Sequence, residues 1–238
     1  MNETVDIRPL SGEPVAAPPN IWPPRSDIEG PRVRLEPLDP PRHAECLYSL
    51  SHADDRARAL WTYLPYGPFE ELAAFRAWLE ERAEEKDPLF FAVHDKAMDR
   101  PAGMMSYLRI TPLHGVIEIG HIWFSPPLQR TPAATEALFL MMQNAFDNLG
   151  NRRLEWKCNA LNEASRRAAR RLGFRFEGIF YHHLVVKGRN RDSAWYSILD
   201  HEWPELRANF ETWLSPDNFD EEGNQKLSLA DLNAAAAA

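Results

Sequence analysis

Three strand-like segments in a row, followed at once by a strand–helix–strand unit, restrict this chain more than any other feature. Hydrophobic alternation and aromatic or β-branched content predict strands over 89–94, 103–110 and 116–124, joined by turns at 95–100 and 112–115. Strands joined without a crossover helix imply antiparallel pairing. A helix over 133–148 and a strand over 153–159 come next, so the strands at 116–124 and 153–159 form a parallel pair. The helix carries its own boundary signals: Thr131 as N-cap, Pro132 at the first helical position and Gly150 beyond the end. Around this centre the pattern predicts a strand over 33–38, a short helix over 42–50 after Pro40-Pro41, and a helix over 69–86 with Leu72, Phe75, Leu79 and Ala83 at helical spacing. Further on it predicts a helix over 163–172 closed by Gly173, strands over 174–178, 181–187 and 194–199, and a last helix over 204–213. The class is α/β (α+β), with a mixed, mostly antiparallel sheet flanked by helices.

Composition narrows the function. The hydrophobic content of 44% and charged content of 26% are those of a soluble globular protein. The apolar run at 138–142 is far shorter than the roughly 20 residues of a membrane span. The polar Met1 to Thr4 start does not look like a signal peptide, so the default expectation is a cytoplasmic protein without a membrane partner. Residues 1–30, with Pro9, Pro14, Pro18, Pro19, Pro23 and Pro24, read as an extended arm laid on the domain through Ile21 and Trp22. The domain proper is expected over 31–215, and 216–238 is read as a tail ending in alanines. Cys46 and Cys158 are too few for a disulfide framework, and no Cys/His spacing suggests a metal site; Cys158 reads as a small buried hydrophobe. A net charge of −8 argues against nucleic acid as the partner and suits a cationic amine.

The chemistry is expected at 116–135. A hydrophobic strand ends at Ser125-Pro126-Pro127, a short loop follows, and a helix opens at Thr131. Free N–H groups and the positive end of a helix dipole then converge where a phosphate can be gripped, with Arg130 adding a cation and Ala133 and Ala134 allowing close approach. Neither a Gly-x-Gly-x-x-Gly nor a P-loop occurs, against an ordinary nucleotide-binding protein.

The segment Glu118-Ile119-Gly120-His121-Ile122-Trp123-Phe124, continuing to Gln129-Arg130-Thr131-Pro132-Ala133-Ala134, resembles the acetyl-CoA-binding motif of the GNAT superfamily. Asn162-Glu163-Ala164-Ser165, Arg171-Leu172-Gly173-Phe174 and Glu177-Gly178 are similar to the Asn-x-x-Ser, Leu-Gly-Phe and Glu-Gly pattern of the branch that acetylates ribosomal protein N-termini. The resemblance covers roughly 33–200. It implies a GNAT fold with six to seven strands, splayed at its centre, and direct transfer of acetyl from acetyl-CoA to an amine on a small molecule or peptide. A homodimer is compatible with it. Coenzyme A would be held by Trp123, Phe124, Gln129, Arg130, Thr131, Ala133, Ala134, Thr135 and Asn162.

Two positions depart from the family pattern. Pro132 replaces the first motif glycine and has no N–H to donate, and the tyrosine that many members use as general acid falls at Ala169. Ser165 is the substitute acid that the ribosomal branch implies. For the base, Glu118 is the first candidate and His121 the second: a carboxylate in an apolar strand needs a partner, and the resemblance to histone-modifying members places a glutamate in this context. Alternation puts Glu118 and His121 on opposite faces, so a regular strand would admit only one to the cleft. His182 and His183 read as surface or substrate-loop residues rather than ligands, and the basic run 187–191 as a solvated turn, with contact to substrate or cofactor phosphate as the alternative. The rival reading is a catalytically inactive coenzyme A-binding or interaction module of the same fold.

Overall fold

The computed structural model describes residue 12 and residues 14–236. The polar start at Met1 to Thr4, Pro9, and the last two alanines, Ala237 and Ala238, lie outside the described residues. In chain order the elements are β1 (Ile28–Glu29), β2 (Val33–Pro37), α1 (Pro40–His52), α2 (Asp55–Arg58), α3 (Leu72–Glu84), β3 (Leu89–Asp95), β4 (Arg100–Thr111), β5 (Val116–Phe124), α4 (Pro132–Gln143), β6 (Arg153–Asn159), α5 (Glu163–Arg171), β7 (Arg175–Val186), β8 (Arg189–Leu199), α6 (Trp203–Leu214) and α7 (Leu229–Ala236).

They build one mixed sheet of eight strands in the order β1-β2-β3-β4-β5-β6-β8-β7, in which only β5 and β6 are parallel. The expected count of six to seven is therefore corrected. The added strand, β1, is the end of the proline-rich arm paired antiparallel to β2, and two residues are too few to leave an alternation signal. The segments 174–178 and 181–187 are one strand, β7, whose pattern is broken by irregular pairing at Gly178 and between Phe180 and Leu184. The β7–β8 hairpin turns on Lys187 and Gly188, both at positive φ, as a two-residue hairpin turn requires.

Both faces of the sheet are covered, so β3 is an apolar run rather than an alternating one. Phe91 and Val93 enter a core with α4 and α6, whereas Phe90 and Ala92 enter a second core with α1, α3 and Trp61. The capping of α4 follows the sequence: Thr131 Oγ1 accepts from Ala134 N at 3.2 Å. A π-helical turn, Asn144–Asn148, then carries the chain to Gly150. The arm meets the domain through prolines, while Ile21 and Trp22 stay half exposed. Gly115 and Gly150 both hold left-handed backbone (φ 61° and 63°), and a Cβ on them would stand 3.1 Å from Pro18 and 2.7 Å from Pro19. Beyond residue 215, Leu229 of α7 is fully buried, and Asn233 Nδ2 donates to Arg171 O at 3.0 Å. Among the described residues no helix is long and apolar enough to cross a membrane.

Candidate active site

The parallel pair holds only from Val116–Arg153 to Glu118–Glu155. Beyond that point β6 stays with β8 while β5 stays with β4, and the sheet forks. A cavity of about 260 Å³ opens in the fork. Its walls include Glu118, Gly120, His121, Trp156, Lys157, Cys158, Asn162, Ser165 and Arg191. The fork thus gathers the three sequence-derived catalytic candidates, Glu118, His121 and Ser165, together with Asn162. It leaves Trp123, Phe124 and the 125–135 segment outside the cavity lining.

Glu118 and His121 share this cavity because β5 is not regular. Met104 faces Trp123 and Ser106 faces Gly120, so His121 and Ile122 oppose Met105 alone. His121 takes φ 53° at this bulge, which resets the alternation. On the other side of Glu118, Leu108 faces Glu118 and Thr111 faces Val116, leaving Arg109 (φ 47°) and Ile110 against Ile117. This second bulge accompanies the reach of Arg109 to Glu118. The exclusion of one candidate by the other does not hold.

Glu118 is 3% exposed and partnered, as a buried carboxylate must be. Arg109 Nη1 lies 2.6 Å and Lys157 Nζ 3.0 Å from its Oε2. Lys157 also meets Glu155 Oε2 at 2.6 Å, and Arg153 links Glu155 to Glu177. A ladder of alternating charges therefore crosses from β5 to β6 where their backbone pairing stops.

His121 stacks on Tyr66 and packs against Phe90. Burial first, then the Arg109 and Arg191 charges, push its imidazole down to about 4. Tyr66 is held neutral by burial, and its hydroxyl sits 2.8 Å from His121 Nδ1. Among the described residues the Tyr66 proton has no other acceptor, so the hydroxyl donates to Nδ1 and the imidazole carries its own proton on Nε2. His121 is then a neutral donor at the cavity wall. Because its folded value lies below the unfolded 6.5, the unfolded chain binds the extra proton. Stability is expected to fall as pH drops from about 6.5 to 4, by on the order of 1–3 kcal/mol from this residue. Chemical denaturation across that window should show a shallower slope in His121→Asn; an unchanged slope would remove His121 from the account. His43 and His52, also depressed by burial, add to the slope.

Ser165 Oγ accepts from Trp156 Nε1 at 3.0 Å, and Ser165 N donates to Asn162 Oδ1 at 3.1 Å. Asn162 thus caps α5 with its oxygen and keeps its Nδ2 donors for another partner. Burial pushes the Cys158 thiol up, with the Ser165 hydroxyl opposing it weakly. Ala169 is fully buried in the main core, so a tyrosine there would overpack α5 rather than enter the fork.

The loop after β5 narrows the expected phosphate contacts. Ala134 N is held by Thr131 Oγ1, and Thr135 N by Thr131 O at 3.4 Å. Thr135 Oγ1 is buried and accepts from Arg171 at 3.2 Å. Gln129 Nε2 donates to Phe124 O at 2.9 Å and braces the loop. Of the residues expected to grip the diphosphate, Arg130 at φ 63°, exposed, and the N–H groups of Thr131 and Ala133 remain uncommitted. Trp123 is core, so only its backbone is available. Ser125 was not expected: it is fully buried at the start of this loop, and its hydroxyl has no hydrogen-bond partner among the described residues. The free N–H groups at the helix start and the exposed cation beside them fit a diphosphate here. Arg109 and Lys157 were likewise missed, the first because it reaches the cavity at an irregular pairing that alternation does not reveal, and Arg191 was read first as part of a solvated turn.

A forked mixed sheet with a capped helix start at the end of one prong is the architecture of an acetyltransferase domain. Residues 32–175 match the family described as "Acetyltransferase (GNAT) domain", and this chain belongs to that family. A GCN5-related N-acetyltransferase structure from Brucella melitensis is 49% identical, with a TM-score of 0.89 over 92% of this chain and 98% of that one. A GNAT-family structure from Chromobacterium violaceum ATCC 12472, named as a probable acetyltransferase, is 43% identical, with a TM-score of 0.73 over 86% of this chain and 100% of that one. The curated "Putative ribosomal N-acetyltransferase YdaF" of Bacillus subtilis (strain 168) is 31% identical over 101 residues, 42% of this chain. That match spans about half of the curated relative, 55% of its length.

Proposed function

We propose that this chain moves an acetyl group from acetyl-CoA directly to an amine, carried by a small molecule or by a peptide N-terminus. The observation that carries this reading is the fork itself. It leaves residues 119–124 of β5 without a strand partner on the β6 side and brings Glu118, His121, Asn162 and Ser165 to one cavity. Acetyl-CoA supplies an acyl group already activated as a thioester. The free backbone of residues 119–124, including Trp123 and Phe124, pairs with its extended arm as an added strand would, and Asn162 Nδ2 adds a donor. Arg130 with the N–H groups of Thr131 and Ala133 holds the diphosphate, with Gln129 bracing the loop. Confined beside the thioester, the amine gains the proximity that such a transfer needs. Glu118 receives the amine proton through water, and the Ser165 hydroxyl donates toward the departing sulfur.

The reading is tested by presenting acetyl-CoA with a panel of amines and peptides while free thiol is measured. Thiol release with at least one acceptor is expected; none across the panel would leave the inactive-module reading in its place. Arg130→Glu is expected to weaken acetyl-CoA binding by more than about tenfold through loss of a charge-assisted contact and added repulsion. Calorimetry showing unchanged affinity would move the diphosphate away from this loop.

A further inference from the structure

The cavity in the fork is cationic although the chain as a whole carries −8. Arg109, Lys157 and Arg191 line it against one carboxylate, Glu118, and the first two are already paired with that carboxylate. Arg191 is different. It sits on β8 opposite Leu184, beside the place where Tyr181, His182 and His183 of β7 bulge against Asp192. Its Nε is sealed from solvent without a hydrogen-bond partner, and among the described residues no carboxylate comes within ion-pair distance of it. Burial depresses its guanidinium. A half-buried cation whose Nε is sealed without an acceptor gains from an anion that completes it.

We infer that Arg191 receives an anionic group, carboxylate or phosphate, borne by the amine acceptor itself. The inference rests on the acetyl-transfer reading for the amine and goes beyond it in naming the acceptor class. Coenzyme A does not account for Arg191, because none of the residues of the 125–135 phosphate segment lines this cavity. A guanidinium fork matches a carboxylate or phosphate edge in two parallel hydrogen bonds. The space, about 260 Å³, suits a small molecule or the first residues of a peptide. It is roofed by two tethers: Tyr63 OH to Leu161 O at 3.1 Å, and Lys187 Nζ to Trp61 O at 2.8 Å. The charge balance also serves the chemistry. Burial first, then the Arg109 charge, depress His121 and likewise disfavour an ammonium in the same space. The whole-chain charge, which suits a cationic acceptor, has the wrong sign for the place where the acceptor sits.

The test compares amines that differ only in the anion, by calorimetry on the protein loaded with coenzyme A. Glycine, β-alanine and γ-aminobutyrate are each set against their amides, and phosphoethanolamine against ethanolamine. Aspartyl-alaninamide set against asparaginyl-alaninamide separates a peptide source from a free small acid. At least one anionic member is expected to bind about tenfold or more tightly than its mate lacking the anion. Arg191→Gln should erase that difference while coenzyme A affinity stays within about twofold, and Arg191→Lys should keep part of it. Equal binding within every pair, or binding of neither member, overturns the inference on the native protein alone, whatever the variants do. So does a preference that survives in a folded Arg191→Gln. Thiol release from acetyl-CoA on the same amines separates the two claims. Release without an anion preference sinks Arg191's role and keeps acetyl transfer, whereas an anion preference without release does the reverse.

Discussion

Glu118→Gln is expected to lower kcat by about two orders of magnitude or more while acetyl-CoA affinity stays nearly unchanged. The substitution is close to isosteric and keeps a carbonyl acceptor for one of the two cations at Glu118. Lys157 retains its 2.6 Å contact with Glu155, so the ladder across the fork survives in part and the fold should persist. What disappears is a group able to take the amine proton. The measurement is a pH–rate profile on both proteins with a thermal melt as control. The acid limb assigned to the base should vanish in the variant. Turnover retained with an unmoved profile would place the base elsewhere. His121 is poorly suited to inherit the role, because its Nδ1 accepts from Tyr66 and its Nε2 is protonated.

The fold was legible wherever an element obeys a single period. The strand at 153–159 begins and ends where alternation puts it, that at 116–124 where its aromatic and β-branched content puts it despite its bulge, and α4 starts at the Thr131–Pro132 signal. Legibility failed where the backbone departs from its period. Between Phe180 and Leu184 the bulge made one strand read as two, and the turns after Asp54 left the short α2 unseen. The helix α7 escaped because its alanine-rich sequence carries little pattern, although Leu229 anchors it in the core.

The site divides along the same line. Ser165 and Asn162 were reached through the resemblance to the ribosomal branch, and the structure adds a local tie between them: Ser165 N donates to Asn162 Oδ1. Glu118 was readable because a carboxylate in an apolar strand demands a partner. Its partners were not, since Lys157 comes from across the fork and Arg109 arrives by a bulge. The same local logic overcounted at the helix start. Five residues, Arg130, Thr131, Ala133, Ala134 and Thr135, looked available to a diphosphate, but capping and helix hydrogen bonds engage the N–H groups of Ala134 and Thr135. Residues that bond within a turn can be read from spacing, whereas charges that meet across strands depend on a register the sequence does not print.

Ser165→Ala is expected to reduce turnover about 10- to 100-fold, a cost on the order of 1.4–2.7 kcal/mol in the transition state, with acetyl-CoA affinity little changed. When the amine displaces coenzyme A, negative charge grows on sulfur, and a hydroxyl aimed at it gains strength as the charge develops, so the effect belongs in kcat. The structure supplies the reason Ser165 can act. Trp156 Nε1 donates to its oxygen at 3.0 Å, so this bond uses a lone pair of the hydroxyl and not its proton, which can turn from Cys158 toward the departing sulfur. The same bond is the main confounder: alanine would strand the indole N–H, and a buried orphan donor costs about 1–3 kcal/mol of stability. Ser165→Thr resolves it, since it restores a hydroxyl on the same carbon for both roles. Most of the lost turnover should return with the threonine, and the melting temperature should return with it. Stability recovered by threonine without turnover, or full turnover in a stable alanine variant, would reduce Ser165 to a residue of the α5 N-terminus held by Asn162. Ala169→Tyr offers no rescue, because Ala169 is fully enclosed by the core and a ring there has no path to the fork.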